Sequence, residues 1–358
     1  MSIDFYKLKV KEVRKETTDC VSIAFEIPDE HNELFKFTQG QYITIRKFIM
    51  GEEVRRSYSL CTSPLDKDFR VAVKKMYDGK FSNFANSELK PGDTLEVMPP
   101  LGKFYTELNS DNSKNYIGFA AGSGITPIIS ILKSVLLTEP NSNFTLFYGN
   151  RNTESVMFKE ELEGLKNQFM GRLSLYYIMS REAIGSSLFK GHINGEKCRE
   201  FAKNIFNPSE TDDVFICGPE EMLIDLKETL IDLGMPEKNI HFELFTTSGI
   251  AKKKHDVEQG PLEDVLSEIT IIIDGDEYNF NLHTTGVNIL DAALKQGANL
   301  PFACKGGVCC TCRAKLVEGK VDMEVNYSLE PDEVEDGFIL TCQSHPLTKK
   351  VVVSFDEH

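Results

Sequence analysis

Cys304, Cys309, Cys312 and Cys342 carry the strongest chemical signal in the chain. Three of them fall in the run Cys304-Lys305-Gly306-Gly307-Val308-Cys309-Cys310-Thr311-Cys312, which reads C-x4-C-x2-C, and 29 residues separate Cys312 from Cys342. This spacing suits four thiolates converging on the two irons of a [2Fe–2S] cluster. The loop that holds three of them must curl tightly, and Gly306 and Gly307 permit the backbone angles of such a curl. They also let backbone N–H groups approach the sulfurs, an interaction that helps set a cluster's potential. Cys310 lies between two ligand positions and reads as a spare thiol. The alternatives are a zinc site or buried structural cysteines. Zinc sites show paired C-x2-C knuckles, and only one pair here has that spacing. A cluster of this kind passes single electrons, so it needs a source and a sink.

Weaker motifs upstream could form the source. Arg56-Ser57-Tyr58-Ser59 offers a guanidinium for a pyrophosphate, a ring to stack on a flat heterocycle and a hydroxyl for a ring edge. An ordinary exposed strand carries such residues too. Gly79-Lys80-Phe81-Ser82 opens a short helix whose free N–H groups suit phosphate; a plain N-cap by Ser82 is the alternative. Gly122-Ser123-Gly124-Ile125-Thr126-Pro127 joins a strand to a helix, and its glycines let the backbone approach a ligand. Pro127 stands where the G-x-G-x-x-G fingerprint has its third glycine, so a simple turn stays open. Cys217-Gly218-Pro219-Glu220-Glu221-Met222 also opens a helix at a strand end, where a doubly wound sheet binds its ligand; Cys217 is otherwise a buried structural cysteine.

The elements that position these residues fall into three stretches. Residues 1–108 are β-rich, with strands over 5–13, 20–27, 41–47, 54–60, 69–73 and 94–97 and one short helix near 82–89. Pro28, Gly40, Gly51, Pro64, Asp78-Gly79 and Pro91-Gly92-Asp93 punctuate them, which predicts a small barrel. Residues 109–246 alternate strands (115–121, 144–148, 173–179, 213–217, 240–245) with helices (126–137, 155–168, 195–205, 220–233). This alternation predicts a doubly wound α/β sheet with a nucleotide at the strand C-termini. A polar stretch, 247–266, with Lys252-Lys253-Lys254 and Gly260-Pro261, reads as a linker. Residues 267–358 hold two strands about Asp274-Gly275-Asp276, a helix near 289–296, the cysteine loop and a last strand, 350–355.

Composition narrows the function classes. The 358 residues carry a net charge of −15, and residues 267–358 alone hold 15 acidic against 7 basic residues, a net of −8. Nucleic acid is not expected as a partner, because phosphate binding needs a basic face. An acidic redox domain suits docking to a basic partner, and it equally suits plain solubility. No apolar run approaches the ~20 residues that span a bilayer, and the N-terminus MSIDFYKLKV lacks a signal-peptide core. Nine cysteines in such a chain suit a reduced compartment, here the cytoplasm.

Taken in order, R-x-Y-S, G-x-x-S, G-x-G-x-T-P and C-G-x-x-x-M resemble the ferredoxin–NADP reductase superfamily over residues 1–246. The C-x4-C-x2-C…C stretch resembles plant-type ferredoxin, and this domain order is typical of oxygenase reductases. Tyr148-Gly149-Asn150-Arg151 and CKGGVCCTCRAK look like the reductases of phenylacetyl-CoA epoxidases and their near relatives, which places the expected role in phenylacetate catabolism. The resemblance implies a multidomain fold: a β-barrel FAD domain, a doubly wound α/β NAD(P) domain and an α+β (β-grasp) ferredoxin domain. It implies FAD rather than FMN. Arg56, Tyr58 and Ser59 would hold the flavin, with Ser59 near its reactive edge, and Gly79 and Ser82 the pyrophosphate. Gly122, Gly124, Thr126 and Arg151 would line the dinucleotide site, with Thr126 also near flavin. Cys217, Gly218 and Met222 would border the nicotinamide, Ser59 and Cys217 being the catalytic pair. Glu243 and Phe245 fall where the superfamily closes its flavin site, although Phe245 is not the terminal aromatic of the plant enzymes.

Ser180-Arg181, after the strand 173–179, could bind the 2′-phosphate of NADPH, while the adjacent Glu182 would suit NADH. NADPH is the expected donor, with NADH possible. The expected path runs from NADPH through FAD and the cluster to an oxygenase on another chain, foremost a di-iron epoxidase acting on an aromatic acyl-CoA. No repeated E-x-x-H pattern marks a di-iron site in this chain. A reductase for a steroid or aromatic-ring hydroxylase, a stand-alone ferredoxin or flavodoxin reductase, and a flavin sensor are the other readings.

Overall fold

The computed structural model describes residues 4–182, 185–245 and 264–357. The chain divides into two units, Phe5–Phe245 and one containing Thr246–His358. The linker expected over 247–266 falls outside the described residues up to position 263.

Six strands begin the first unit: β1 (Tyr6–Thr17), β2 (Cys20–Glu26), β3 (Tyr42–Ile49), β4 (Glu52–Ser59), β5 (Phe69–Lys74) and β6 (Thr94–Val97), with helix α1 (Lys80–Ser87) after β5. They pair antiparallel in the order β4-β3-β6-β1-β2-β5. The bridge between Leu60 and Val71 joins the two edges and closes the expected barrel. Alternate residues point inward, so Leu8, Val10, Ile23, Phe25, Ile43, Ile45, Val71 and Val73 fill the barrel. Each such side chain contributes about 1.5–3 kcal/mol by leaving water. β3 and β4 join through Met50-Gly51, both at positive φ (51° and 80°), the twist-matched geometry of a two-residue hairpin turn.

The same unit continues with a parallel sheet: β7 (Asn115–Ala121), α2 (Ile125–Thr138), β8 (Asn143–Asn150), α3 (Lys159–Gln168), β9 (Leu173–Met179), α4 (Gly195–Asn204), β10 (Asp213–Gly218), α5 (Glu220–Asp232) and β11 (Ile240–Leu244). The order is β11-β10-β7-β8-β9. Strands are added outward on both sides of β7, so the chain direction switches between β7 and β10, and the crevice for a ligand lies at their C-terminal ends. Helices α2 and α3 pack on one face through Ile128, Leu132, Leu162 and Leu165. Phe201 of α4 stacks on Phe147 of β8 at 4.4 Å. The helix expected over 155–168 is shorter. Asn152 caps a 3-10 turn, Thr153–Ser155, and Phe158 at φ 56° separates that turn from α3.

Barrel and parallel sheet pack into one unit through α2. Ser130 Oγ donates to the Thr62 carbonyl (2.6 Å), Ser63 and Ser134 hydroxyls meet at 2.8 Å, and Lys133 Nζ joins Asp66 (2.6 Å) to Glu161 (2.7 Å).

The second unit holds β12 (Leu266–Ile273), β13 (Asp276–His283), α6 (Ile289–Lys295), β14 (Arg313–Glu318), β15 (Val321–Met323), α7 (Pro331–Glu335), β16 (Phe338–Leu340), β17 (Ser344–Pro346) and β18 (Lys350–Ser354). Its main sheet runs β13-β12-β18-β14-β16, with β12 and β18 parallel and the other pairs antiparallel. Ile289, Leu290 and Ala293 of α6 share the core with Ile269, Ile271, Val351 and Val353. β15 and β17 form a separate ribbon beside the cysteine loop's return path.

Candidate functional site

The loop between α6 and β14 gathers three thiols and the turn after β16 supplies the fourth. Cys309 Sγ stands 3.2 Å from Cys304 Sγ, and the Cys342 thiol is near enough to those of Cys304 and Cys312 to shift their ionisation. Among the described residues no three His, Cys, Asp or Glu side chains are grouped around a single ion position. Gly307, at φ 73°, makes the curl possible, since a Cβ there would come within 2.9 Å of the Val325 side chain and 3.1 Å of its carbonyl oxygen. Donors surround the sulfurs: Gly306 N–H reaches Cys304 Sγ (3.3 Å), and Gln343 Nε2 donates to Cys342 Sγ (3.3 Å). The neighbouring thiols of Cys309 and Cys342, aided by the Gly306 and Val308 N–H groups, hold Cys304 far below the usual thiol range, against the opposing effect of burial. Cys310 turns away and donates to the Ser328 carbonyl (3.0 Å), and burial pushes its thiol up to about 11. Four soft sulfurs ringed by N–H donors form a donor set that fits a [2Fe–2S] cluster.

In the first unit, β4 of the barrel and β11 of the parallel sheet bring distant residues together. Ser59 Oγ donates to Glu243 Oε2 at 3.1 Å. Glu243 lies beside Cys217 in register. Although it is partly open at its edge, burial pushes its carboxyl from 4.5 up to about 8, opposed by the Ser59 bond. Cys217 is fully buried, and burial raises its thiol well above 9.0. Tyr58 packs on Phe81 of α1, ring centroids 5.6 Å apart. Arg56 is exposed and has no acidic partner among the described residues; it donates only to the Arg55 carbonyl (2.7 Å). Gly79, not Ser82, is the N-cap of α1. The Ser82 hydroxyl instead folds the loop, accepting from Met76 N–H (3.1 Å) and donating to Gly79 O (3.2 Å). A Cβ at Gly79 would lie 2.3 Å from that hydroxyl. The first-turn N–H groups of α1 remain open to an anionic ligand.

The crevice at the ends of β7 and β10 is a cavity of about 600 Å³, lined by Gly122, Arg151, Ser180 and Met222 among the expected residues, and also by Lys74, Asn150 and His192. Asn150 Nδ2 is buried here without a protein partner, a group that a bound polar ligand would satisfy. Gly124, Thr126, Cys217, Gly218 and Arg181 are not among the lining residues. Gly124 and Gly218 let two turns meet: a Cβ on Gly124 would lie 2.1 Å from the Cys217 carbonyl oxygen, and one on Gly218 2.5 Å from Met222 Cε. Thr126 is buried and donates to the Ser123 carbonyl (3.0 Å). Phe245 packs against the core under α2. Arg181 is exposed, its N–H bonded to the Arg151 carbonyl (2.8 Å). Lys74 and His192 carry no signal in the sequence as lining residues, since neither belongs to a spaced motif; Asn150 lies in the Tyr148-Gly149-Asn150-Arg151 run, where only Arg151 is expected at the site.

Three family models match in order: "Oxidoreductase FAD-binding domain" over residues 7–105, "Oxidoreductase NAD-binding domain" over 119–228 and "2Fe-2S iron-sulfur cluster binding domain" over 271–347. The chain is 45% identical over 352 residues to a component of the 1,2-phenylacetyl-CoA epoxidase of Escherichia coli (strain K12), covering 98% of each chain. It is 34% identical to the ferredoxin reductase component of 3-ketosteroid-9-alpha-monooxygenase from Rhodococcus rhodochrous, covering 97% of this chain and 96% of that one. Among solved structures, phthalate dioxygenase reductase shares the fold at a TM-score of 0.58 and 22% identity, covering 98% of both chains. The chain therefore belongs to the family of oxygenase reductases, NAD(P)H-dependent flavin iron–sulfur oxidoreductases built from an FAD-binding, an NAD-binding and a 2Fe-2S domain.

Proposed function

We propose that this protein delivers electrons from NADPH to a di-iron oxygenase that epoxidises an aromatic acyl-CoA, phenylacetyl-CoA foremost. The observation that carries this reading is the 45% identity, spread over 98% of both chains, to an epoxidase component. The 34% identity to a steroid monooxygenase component makes a steroid hydroxylase the second reading. When bound, FAD takes a hydride from the nicotinamide and releases electrons singly to a [2Fe–2S] cluster, which passes them on.

The chain's own residues bind and orient. Arg56 neutralises the pyrophosphate, together with the open N–H groups of α1 behind Gly79 and Ser82, and Tyr58 covers the flavin ring. Ser59 and Cys217 flank the reacting edge. Glu243, with its carboxyl pushed up to about 8, holds a proton beside Ser59 Oγ at neutral pH. Gly122, Arg151 and Met222 line the dinucleotide crevice, while Gly124, Thr126 and Gly218 shape the turns around it. Ser180 and Arg181 meet the 2′-phosphate, and Phe245 closes the flavin side. Cys304, Cys309, Cys312 and Cys342 would hold the [2Fe–2S] cluster, which would supply one-electron transfer. The division into residues 1–108, 109–246, 247–266 and 267–358 serves this path, with the acidic last part docking the oxygenase. All of this suits a cytoplasmic protein.

The test is reconstitution. The holoprotein is mixed with the oxygenase component of a phenylacetyl-CoA epoxidase, NADPH and phenylacetyl-CoA. Epoxide should form in proportion to NADPH used. NADPH oxidation without epoxide, alongside coupled turnover with a 3-ketosteroid monooxygenase, would shift the assignment to the second reading.

A further inference from the structure

Glu182 follows Ser180-Arg181 at the end of β9, where an acidic side chain ordinarily accepts from the ribose 2′-hydroxyl and so selects NADH. The structure shows its carboxylate committed elsewhere. Oε2 accepts from the backbone N–H of Thr153 at 2.7 Å, and Oε1 accepts from the Thr153 hydroxyl at 3.0 Å. Thr153 is the first residue of the 3-10 turn Thr153–Ser155 capped by Asn152. Its N–H points out of that turn's end, where a carboxylate is favoured. Arg181 has no ion pair among the described residues, and its N–H is bonded to the Arg151 carbonyl at 2.8 Å. That bond, with the one from Ser180 N–H to Asn150 O (2.9 Å), brings the two arginines to neighbouring positions beyond the paired strands. The Arg151 guanidinium pairs with Asp19 at 3.0 Å.

We propose that Thr153 is a specificity-determining residue: by clamping both oxygens of Glu182, it keeps a carboxylate away from the ribose 2′ position and leaves Arg181 for a 2′-phosphate. This rests on the NADPH reading above. Without the clamp, Glu182 would pair with Arg181, repel a 2′-phosphate and accept from a free 2′-hydroxyl. A negative charge placed there changes the preference of the site while leaving its lining intact. Thr153 acts through Glu182 and need not touch the dinucleotide.

The test uses the full-length holoprotein and two probes, 2′,5′-ADP and 5′-AMP, whose Kd values are measured by calorimetry. T153P removes both donors at once. Proline suits the first position of a helical turn, and Asn152 before it is already extended, at φ −156° and ψ 173°. The wild type should bind 2′,5′-ADP more tightly than 5′-AMP. T153P should lower that preference about tenfold, the effect of one charged hydrogen-bonding partner, and T153P/E182Q should return it to within about twofold of wild type. E182Q alone should leave it nearly unchanged. T153V, which removes only the hydroxyl, should give a smaller loss in the same direction, and it decides the matter if T153P loses its flavin. A wild type with no preference overturns the NADPH reading and this inference together. A wild-type preference that T153P and T153V leave intact, or a loss that E182Q does not reverse, overturns the inference alone.

Discussion

In the unit containing Thr246–His358, three of the four converging thiols come from one nine-residue loop, Cys304 to Cys312. In Phe5–Phe245, the central contact joins Ser59 to Glu243 across 184 residues of chain. The loop is shaped by its own backbone, with Gly306 N–H and the positive φ of Gly307 doing the curling. The Ser59–Glu243 contact depends on the barrel packing against the parallel sheet, to which α2 contributes through Ser130, Lys133 and Ser134 and the Arg151–Asp19 ion pair adds a second tie. One site is therefore sensitive to its own residues and the other to packing between elements. Substitutions separate the two.

The largest effect is expected at the thiols. Changing Cys304, Cys309, Cys312 or Cys342 to Ala should abolish the cluster's visible absorbance and its iron, while NAD(P)H still bleaches the flavin. C310S should retain both, because Cys310 Sγ is bonded to Ser328 O and not to the other thiols. Iron analysis and anaerobic spectra read the outcome. If C310S loses iron while one of the other four keeps it, the ligand set is wrong and the self-contained loop with it.

The next effect sharpens the other half of the contrast. G124A adds a Cβ that would lie 2.1 Å from the Cys217 carbonyl oxygen, so the two turns at the crevice must part. Overpacking against backbone costs about 1–3 kcal/mol. Dinucleotide affinity should fall and the first unit should melt several degrees lower, with the cluster spectrum unchanged. An unchanged dinucleotide Kd would mean that the close approach of the turns does not shape the crevice.

The same contrast explains what could be read from the residues alone. The cysteine spacing points to candidate ligands because three of the four thiols lie within one loop. Asp274-Gly275 signals its hairpin because both residues adopt positive φ, 53° and 81°. β15 and β17 are not legible in the sequence, since strands of three residues show no alternation and pair only through the return of the chain. Helix α7 is absent from the sequence-based expectations, although its capping box between Glu330 and Glu333 and Pro331 in its first turn are available signals. The helix expected over 155–168 is too long because Val156-Met157-Phe158 continues an apolar pattern, while the left-handed Phe158 that ends it has no local signature. Glu243 could be placed near the flavin only by resemblance. Its partner Ser59, and the burial that shifts its carboxyl, are products of tertiary packing.

The smallest effect concerns that carboxyl and the pH. Burial raises the Glu243 carboxyl from 4.5 to about 8. Between those values the folded chain holds a proton that the unfolded chain has released, so stability falls as pH rises across that window and levels off above it. E243Q removes the titrating group but keeps a partner for the Ser59 hydroxyl. The stability of wild type, followed by its melting temperature, should therefore fall relative to E243Q between about pH 5 and 8, by about 1 kcal/mol, since the side chain is partly exposed and solvent screens its charge. Below pH 5 the two proteins should converge. The cluster-bearing unit should show no change in this comparison, as Glu243 belongs to the packing of the other. A wild type and E243Q that melt in parallel from pH 5 to 8 would show that Glu243 is ionised like a surface carboxylate. The proton held beside Ser59 would then have to come from elsewhere.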